Sequence, residues 1–259
     1  MKIATWNVNG IRARFEDVVA FADEHRPDVM CLQEIKALPS QVPEPLTGLP
    51  AFHSHWHGGP GGYSGVSLHL SRAALASRPT ITIPDFDVET RIAVAELDAL
   101  TIASIYVPNG NKDYPAKITF LEGLLAWAEA LAAEGRPALL CGDFNVTRSD
   151  QDLHETHRKR GAIGQRKEER ALIARLLDAG YTDASRHFFP DDDTLFTWWP
   201  PWREEKQKNR GWRIDYVLVS ASLVPALRSA TVLVNQGTSD HAPLVVDLDL
   251  SLEGSSAAR

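Results

Sequence analysis

The chain has 259 residues, 44% of them hydrophobic, and a formal net charge of −7. That apolar content suffices for one large domain or two small ones, and no Pro/Gly/Ser-rich linker divides it, so a single domain over residues 1–250 is expected. No apolar run approaches the roughly 20 residues of a membrane span. The N-terminus enters a strand-like segment without a signal-peptide pattern, and two cysteines, Cys31 and Cys141, make no disulfide framework. A reduced, cytoplasmic setting and a monomer are therefore expected, with both cysteines as small buried hydrophobes. The negative charge also argues against a general nucleic-acid binder.

Short apolar, β-branched runs in the usual strand range dominate the chain. A strand over Lys2–Val8 leads to a helix over Arg14–His25, which Pro27 stops, and Val29–Gln33 reads as the next strand. His53, His55 and His57 alternate and would share one face of a strand; with no cysteine ligand and no regular scaffold for zinc, a loop or solvated stretch is expected. Gly58-Gly59-Pro60-Gly61-Gly62 is a flexible loop without a phosphate-loop lysine. Strands follow at Gly65–Leu70, Thr80–Ile83, Arg91–Leu97 and Leu100–Val107. Pro115 suits the first turn of a helix through about Ala133, with Gly135 just past its end. After a strand at Ala138–Cys141, a helix over Glu168–Ala179 ends at Gly180 in the same way. The last strands are Arg213–Ser220, Ala230–Val234 and Leu244–Leu250, and 251–259 reads as a disordered tail. About ten strands with three clear helices do not make a one-helix-per-strand barrel; two sheets packed face to face, with helices on the outer faces, use these elements better. A strand ending in a polar cluster recurs in each half (Trp6-Asn7 and Gly142-Asp143-Phe144-Asn145), the pattern of two pseudo-equivalent halves.

Five polar clusters sit at strand edges: Trp6 to Gly10, Leu32 to Glu34, Gly142 to Asn145, Trp212 to Tyr216 and Ser239 to His241. Together they supply the parts of a phosphodiester-cleaving site, which needs a cation on the phosphate oxygens, a positioned water and a stabilised leaving oxygen. Glu34, just after a buried run, is either a rim charge or a hard-oxygen ligand of the kind Mg²⁺ takes. Asn7 is either a turn-starting residue or an amide ligand. Asp143 and Asn145 flank Phe144 and on an extended segment would point to the same face. Asp215 interrupts an apolar strand; a buried aspartate needs a partner, and His241, beside Asp240 in a strand-edge loop, is the natural one. Pro108-Asn109-Gly110 leaves Tyr106 near the mouth of its strand, as a hydrogen-bonding phenol or, with a lowered pKa, a base. Two segments are rich in cations, 158–170 and 203–213; the second lies between Trp198-Trp199 and Trp212, an interleaving that suits a phosphate backbone with a displaced base or sugar.

These clusters resemble the exonuclease III family of abasic-site endonucleases from Met1 to about Leu250, within the wider superfamily of metal-dependent endonucleases, exonucleases and phosphatases. Tyr63-Ser64-Gly65-Val66, Tyr106 with Pro108-Asn109-Gly110, Thr197-Trp198-Trp199 and Gly211 to Tyr216 carry the family-specific likeness. The resemblance implies a four-layered α/β/β/α sandwich and Mg²⁺ or Mn²⁺ held among Asn7, Glu34, Asp143, Asn145, Asp240 and His241. It implies that Asp143 activates the water or protonates the leaving group, that Asn145 stabilises developing charge, and that Asp215 orients His241 on the scissile phosphate. Tyr106 would touch that phosphate, while Trp198, Trp212 and Ile214 receive an extruded abasic sugar, with Asn109, Lys112 and Arg91 on the DNA. Extruding a sugar without a base is cheap, whereas an intact nucleotide costs a few kcal/mol. The implied partner is duplex DNA with abasic sites or 3′ ends, nicked 5′ to the lesion to leave a 3′-hydroxyl. Pro200-Pro201, Glu89-Thr90-Arg91 and the basic Glu155–Gln165 depart from the family's pattern. A lipid or inositol-phosphate enzyme of the same fold would show an exposed apolar insertion in place of the tryptophans, and an inactive DNA-binding module would be insensitive to chelators.

Overall fold

The computed structural model describes residues 1–47, 49, 51–59 and 62–252. Among the described residues, twelve strands form two six-stranded sheets. The first contains β1 (Lys2–Asn7), β2 (Val29–Gln33), β3 (Phe52–His57), β4 (Val66–Ser71), β11 (Leu227–Val232) and β12 (Leu244–Leu248), in the order β11-β12-β1-β2-β4-β3. The second contains β5 (Thr80–Thr82), β6 (Ile92–Glu96), β7 (Thr101–Tyr106), β8 (Ala138–Asp143), β9 (Tyr181–Asp183) and β10 (Asp215–Ser220), in the order β5-β6-β7-β8-β10-β9. Each sheet has one parallel pair at its centre, β1 with β2 and β7 with β8, and antiparallel neighbours elsewhere. A long helix makes each parallel crossover: α1 (Ile11–His25) in the first half and, after the short α2 (Glu44–Thr47), α3 (Tyr114–Ala133) in the second. Two more, α4 (Lys167–Asp178) and α5 (Ala184–Phe188), join the second half. The two sheets therefore share one topology, as the recurrence of strand-end polar clusters anticipates.

Strand alternation sorts the apolar residues into layers. Ile3, Val29, Cys31 and Leu68 of the first sheet meet Ile102, Leu139, Cys141 and Val217 of the second in the inter-sheet core. The residues between them face outward: Ala4, Trp6, Met30 and Leu32 pack under Ile11, Val18 and Phe21 of α1. Ala103, Ile105, Leu140 and Tyr216 pack under Phe120, Leu124, Ile173 and Leu176 of α3 and α4. Burial on both faces is why the central strands read as continuous apolar runs rather than alternating ones. The order helix, sheet, sheet, helix is the four-layered sandwich implied by the resemblance. The two thiols lie together at its centre; burial, with Cys31 beside it, pushes the Cys141 thiol well above its ordinary pKa.

Three readings are corrected. Phe52–His57 is an edge strand paired with β4, although its histidines and serine give it little apolar signal. His53 and His57 are spent on the Leu75 carbonyl (3.1 Å) and Asp87 (2.8 Å). β9 is a second unexpected strand, too short to register as a run. The ordered chain also extends past 250, since Leu252 is buried in the inter-sheet core; of the expected tail, residues 253–259 lie outside the described residues, as do Pro60 and Gly61 of the glycine-rich loop.

Candidate active site

The inward faces of both sheets run out at one end of the sandwich, and the polar clusters meet there. Register fixes the second sheet's share: Tyr106 of β7 lies opposite Asp143 of β8, which lies opposite Asp215 of β10. Gly142 permits this, because a Cβ there would stand 1.9 Å from the Ile105 carbonyl oxygen. Asn145 does not continue an extended strand, as the alternation with Asp143 had suggested. It turns back at φ 52, its backbone N–H donating to Asp143 Oδ1 (2.8 Å) and its amide to the Val107 carbonyl (2.9 Å) and Asp143 Oδ2 (3.2 Å). A tight turn, not strand pleating, brings the two side chains to one centre.

His241 enters from the loop before β12. Its Nδ1 is 2.9 Å from Asp215 Oδ2, and its Nε2 is 3.9 Å from Asp143 Oδ2. Thr197 Oγ1 accepts from the backbone N–H groups of Ile214 and Asp215 (both 3.1 Å), and Trp6 Nε1 donates to the His241 carbonyl (3.1 Å). These contacts hold the pair from both sheets. Burial opposes a charge on His241, but Asp215, by charge and hydrogen bond, with Asp143 and Asp240, raises its pKa to about 10. The imidazole is thus a cation at neutral pH and presents Nε2–H to the cavity. Burial, with Asp215 adding to it, pushes Asp143 up to about 7 against the opposing pull of His241 and Asn7. Tyr106 departs from the possibility of a base: burial first, then Glu34 and Asp143, raise its pKa well above the ordinary phenol range. It stays protonated and can donate a hydrogen bond to a bound anion.

The first sheet reaches the same point from the ends of β1 and β2. The Asn7 amide nitrogen donates to both Glu34 Oε2 and Asp143 Oδ2 (2.9 Å each), and its oxygen accepts from Asn9 N–H (2.9 Å). Asn7 therefore ties two carboxylates together through its nitrogen rather than offering them an oxygen. Asp240 is held by Asn9 and by Trp198 Nε1 (2.9 Å each). Lys36 Nζ sits 2.7 Å from both Glu34 and Asn9, so a cation already sits on this carboxylate. Asp143, Asp215 and His241 bring ligand-type atoms within 4.8 Å of one another, with His241 Nδ1 held by Asp215 and its Nε2 3.9 Å from Asp143. Glu34 and Asp143 fit a hard divalent ion better: two carboxylates converge on one amide nitrogen, and Asp143 lacks charge compensation enough to stay fully ionised.

Around this centre is a cavity of about 310 Å³ lined by Glu34, Tyr106, Asn109, Asp143, Asn145, Trp198, Trp212, Ile214, Asp240 and His241, together with Asn9, Asn111 and Ile163. Trp198 and Trp212 meet edge to face (centroids 5.7 Å, 86°) and exchange backbone hydrogen bonds of 2.8 and 2.9 Å. Arg91 and Lys112 do not line this cavity. They line a neighbouring one of about 170 Å³ that shares Asn109. Arg91 is stacked between Tyr63 and Tyr106 and paired with Glu89 (2.8 Å), so it shapes the wall instead of reaching into solvent. Asn9, Lys36, Thr197 and Ile163 had no assigned role in the sequence. Only Asn9 carried a signal, the Asn-Gly turn dipeptide that its φ of 46 satisfies.

A profile of the endonuclease/exonuclease/phosphatase family matches residues 4–241. The chain is 34% identical over 257 residues to DNA repair nuclease APEX1 of Danio rerio, covering 96% of this chain and 82% of that one. It is 31% identical to an exodeoxyribonuclease of Bacillus subtilis, over 96% of this chain and 100% of that one. It is 33% identical to recombination repair protein 1 of Drosophila melanogaster, of whose length the match spans 37%. The solved structure of an AP endonuclease from Archaeoglobus fulgidus superposes with a TM-score of 0.86 at 25% identity, over 96% of this chain and 100% of that one. The chain belongs to the endonuclease/exonuclease/phosphatase family and, within it, to the hydrolytic nucleases of the exonuclease III type. Among the described residues no helix is long and apolar enough to cross a membrane.

Proposed function

We propose that this nuclease repairs DNA by hydrolysing the phosphodiester 5′ to an abasic site in a duplex, leaving a 3′-hydroxyl, with 3′–5′ exonuclease and 3′-phosphodiesterase activity at the same centre. The observation that supports this most is the pairing of a charged imidazole and a buried carboxylate with a wall of Trp198, Trp212 and Ile214 in one 310 Å³ cavity. A phosphate would sit against His241 Nε2–H and the Tyr106 phenol, both donors at neutral pH. A sugar without a base would fit the tryptophan wall, where an intact nucleotide would have to bring its base.

Water adds to phosphorus, the bond from phosphorus to the upstream 3′ oxygen breaks, and that oxygen leaves with a proton. Asp143 is placed to take the proton of the water or to give one to the leaving oxygen, since its carboxylate lines the cavity 3.9 Å from His241 Nε2. The Asn145 amide reaches the same carboxylate and stands beside the developing charge. Glu34 and Asp143 would hold Mg²⁺ or Mn²⁺, which when bound supplies charge to the phosphate oxygens and activates water. Asn7 holds those carboxylates together, and Asp215 keeps His241 oriented and charged.

The test is a duplex with one synthetic abasic site, incubated with Mg²⁺ or with chelator and resolved on a denaturing gel. One Mg²⁺-dependent nick 5′ to the lesion, followed by slower trimming, is expected. A folded sample that cuts nothing with Mg²⁺ or Mn²⁺ but hydrolyses an inositol phosphate would overturn the assignment.

A further inference from the structure

Among the described residues a second cavity is larger than the candidate active site. A basin of about 650 Å³ lies on the outer side of the segment between β8 and α4. Arg158, Lys159, Arg160, Arg166, Lys167 and Arg170 line it, against two carboxylates, Asp150 and Glu168. In a chain of net charge −7 this is a local reversal of sign. Two carboxylates against six cations leave it positive: Asp150 pairs with Arg170 (2.9 Å), one of the six, and Glu168 accepts from the Tyr114 hydroxyl (2.8 Å).

The cations divide into two groups. Arg158, Arg166 and Arg170 brace the segment through Nε–H bonds to the carbonyls of Leu153, Gly161 and Thr147 (3.1–3.2 Å). Lys159, Arg160 and Lys167 are exposed and make no ion pair among the described residues. The frame beneath them is rigid. Buried Glu169 accepts from the backbone N–H groups of Gly164 and Arg166 and pairs with buried Lys117 at 2.6 Å. Gln165 closes the loop by donating to the His157 carbonyl (3.0 Å) and accepting from Lys159 N–H (2.9 Å). A solvated face with no ligand has no need of such bracing, whereas a binding site gains affinity by being ordered beforehand.

The same segment is fixed to the catalytic pocket. Leu153 bridges to Trp212, a Cβ on Gly164 would stand 3.0 Å from that indole, and Ile163 lines the pocket two residues after Gly161 lines the basin. We propose that the basin is a second seat for the DNA backbone, where Lys159, Arg160 and Lys167 hold phosphates of the substrate duplex beyond the scissile one. This rests on the nuclease reading above. Its role is affinity and reach along the duplex, not chemistry, because phosphate contacts position a protein without reading or altering the base.

The test compares wild type with a Lys159→Gln/Arg160→Gln/Lys167→Gln variant. Binding to a duplex with one abasic site is measured by fluorescence anisotropy in chelator across a salt series, and nicking is measured with Mg²⁺ at saturating DNA. The variant should bind about tenfold or more weakly near physiological salt, and its slope of log affinity against log salt should shrink by roughly 2 to 3, about one per lost phosphate contact. Its maximal nicking rate should stay within about twofold of wild type, and the difference should vanish on a duplex ending a few base pairs from the lesion. A control with Arg72→Gln/Arg78→Gln/Arg228→Gln, at the strand ends far from the site, should keep the wild-type slope. A wild-type slope in the basin variant, or an equal loss in the control, overturns the proposal while leaving the nuclease reading intact. Failure of wild type to bind or nick the duplex overturns that reading instead.

Discussion

The two sheets have the same strand order and the same central parallel pair, yet divide the chemistry unequally. Across the ends of β7, β8 and β10 the register reads Tyr106, Asp143, Asp215; across the corresponding ends of β1, β2 and β4 it reads Asn7, Gln33, Val66. Both glutamine and aspartate at the β2 and β8 ends point between the sheets, but Gln33 is satisfied there by Thr5 (3.2 Å) and Ser104 (3.3 Å). Asp143 is left facing the cavity with a raised pKa. The first sheet contributes one step further out, through Glu34 at φ 55 and through the loop that carries Asp240 and His241. A duplicated frame supplies equivalent positions, and the side chains at those positions decide which half places an acid in the cavity.

Exchanging roles between the halves should break this comparison most sharply. Asp143→Asn should lower the nicking rate roughly 10³-fold or more, with DNA binding retained, as removal of a proton-transferring and charge-stabilising group does. Gln33→Ala should leave the rate within about tenfold but cost about 1–3 kcal/mol of stability, from buried polar groups left unpaired. If both variants lost activity equally, the asymmetry would be wrong.

Asp215→Asn tests the charged pair by pH. His241 rises from 6.5 to about 10 in the folded protein. Its protonation therefore contributes stability that is fully present below about pH 6.5 and lost as pH rises through about 10. Wild-type activity should persist well above neutrality. The variant should lose roughly 10²- to 10⁴-fold in rate, and its alkaline limb should move toward the ordinary histidine range. An unmoved limb would exclude His241 as the titrating cation.

The outer layers differ too. α3 and α4 are joined by the buried Lys117–Glu169 pair, with both side chains 0% exposed. Lys117→Met strands Glu169 and should cost about 3–5 kcal/mol in a denaturant melt, loosening the basin segment with it. The smallest effect concerns Thr90, a β-branched residue held at φ 61 just before β6. Thr90→Gly should stabilise by about 1 kcal/mol in the same melt, because glycine adopts that region without a Cβ clash; no gain would mean that contacts of the threonine side chain offset the strain.

Much of the site was legible because each catalytic candidate ends or interrupts an apolar run. Asp215 inside Ile214 to Leu218 demanded a partner, and His241 supplies it. What escaped were residues whose role depends on another segment's position. Lys36 and Ile163 carry no local signal, and Arg91 looked free until Tyr63 and Tyr106 enclosed it. The β3 strand was obscured because its pairing with β4, not its own weak hydrophobicity, makes it a strand.

The sequence by itself determined the layered α/β architecture and which polar residues end or interrupt its apolar runs, since periodicity and interrupted runs are local properties of the chain. Only the tertiary structure decided that Tyr106 keeps its proton, that Asn7 presents nitrogen, and that the cations of 158–170 line a braced basin. Those properties depend on burial and on charges contributed by distant segments, which become neighbours only when the two sheets close on one another.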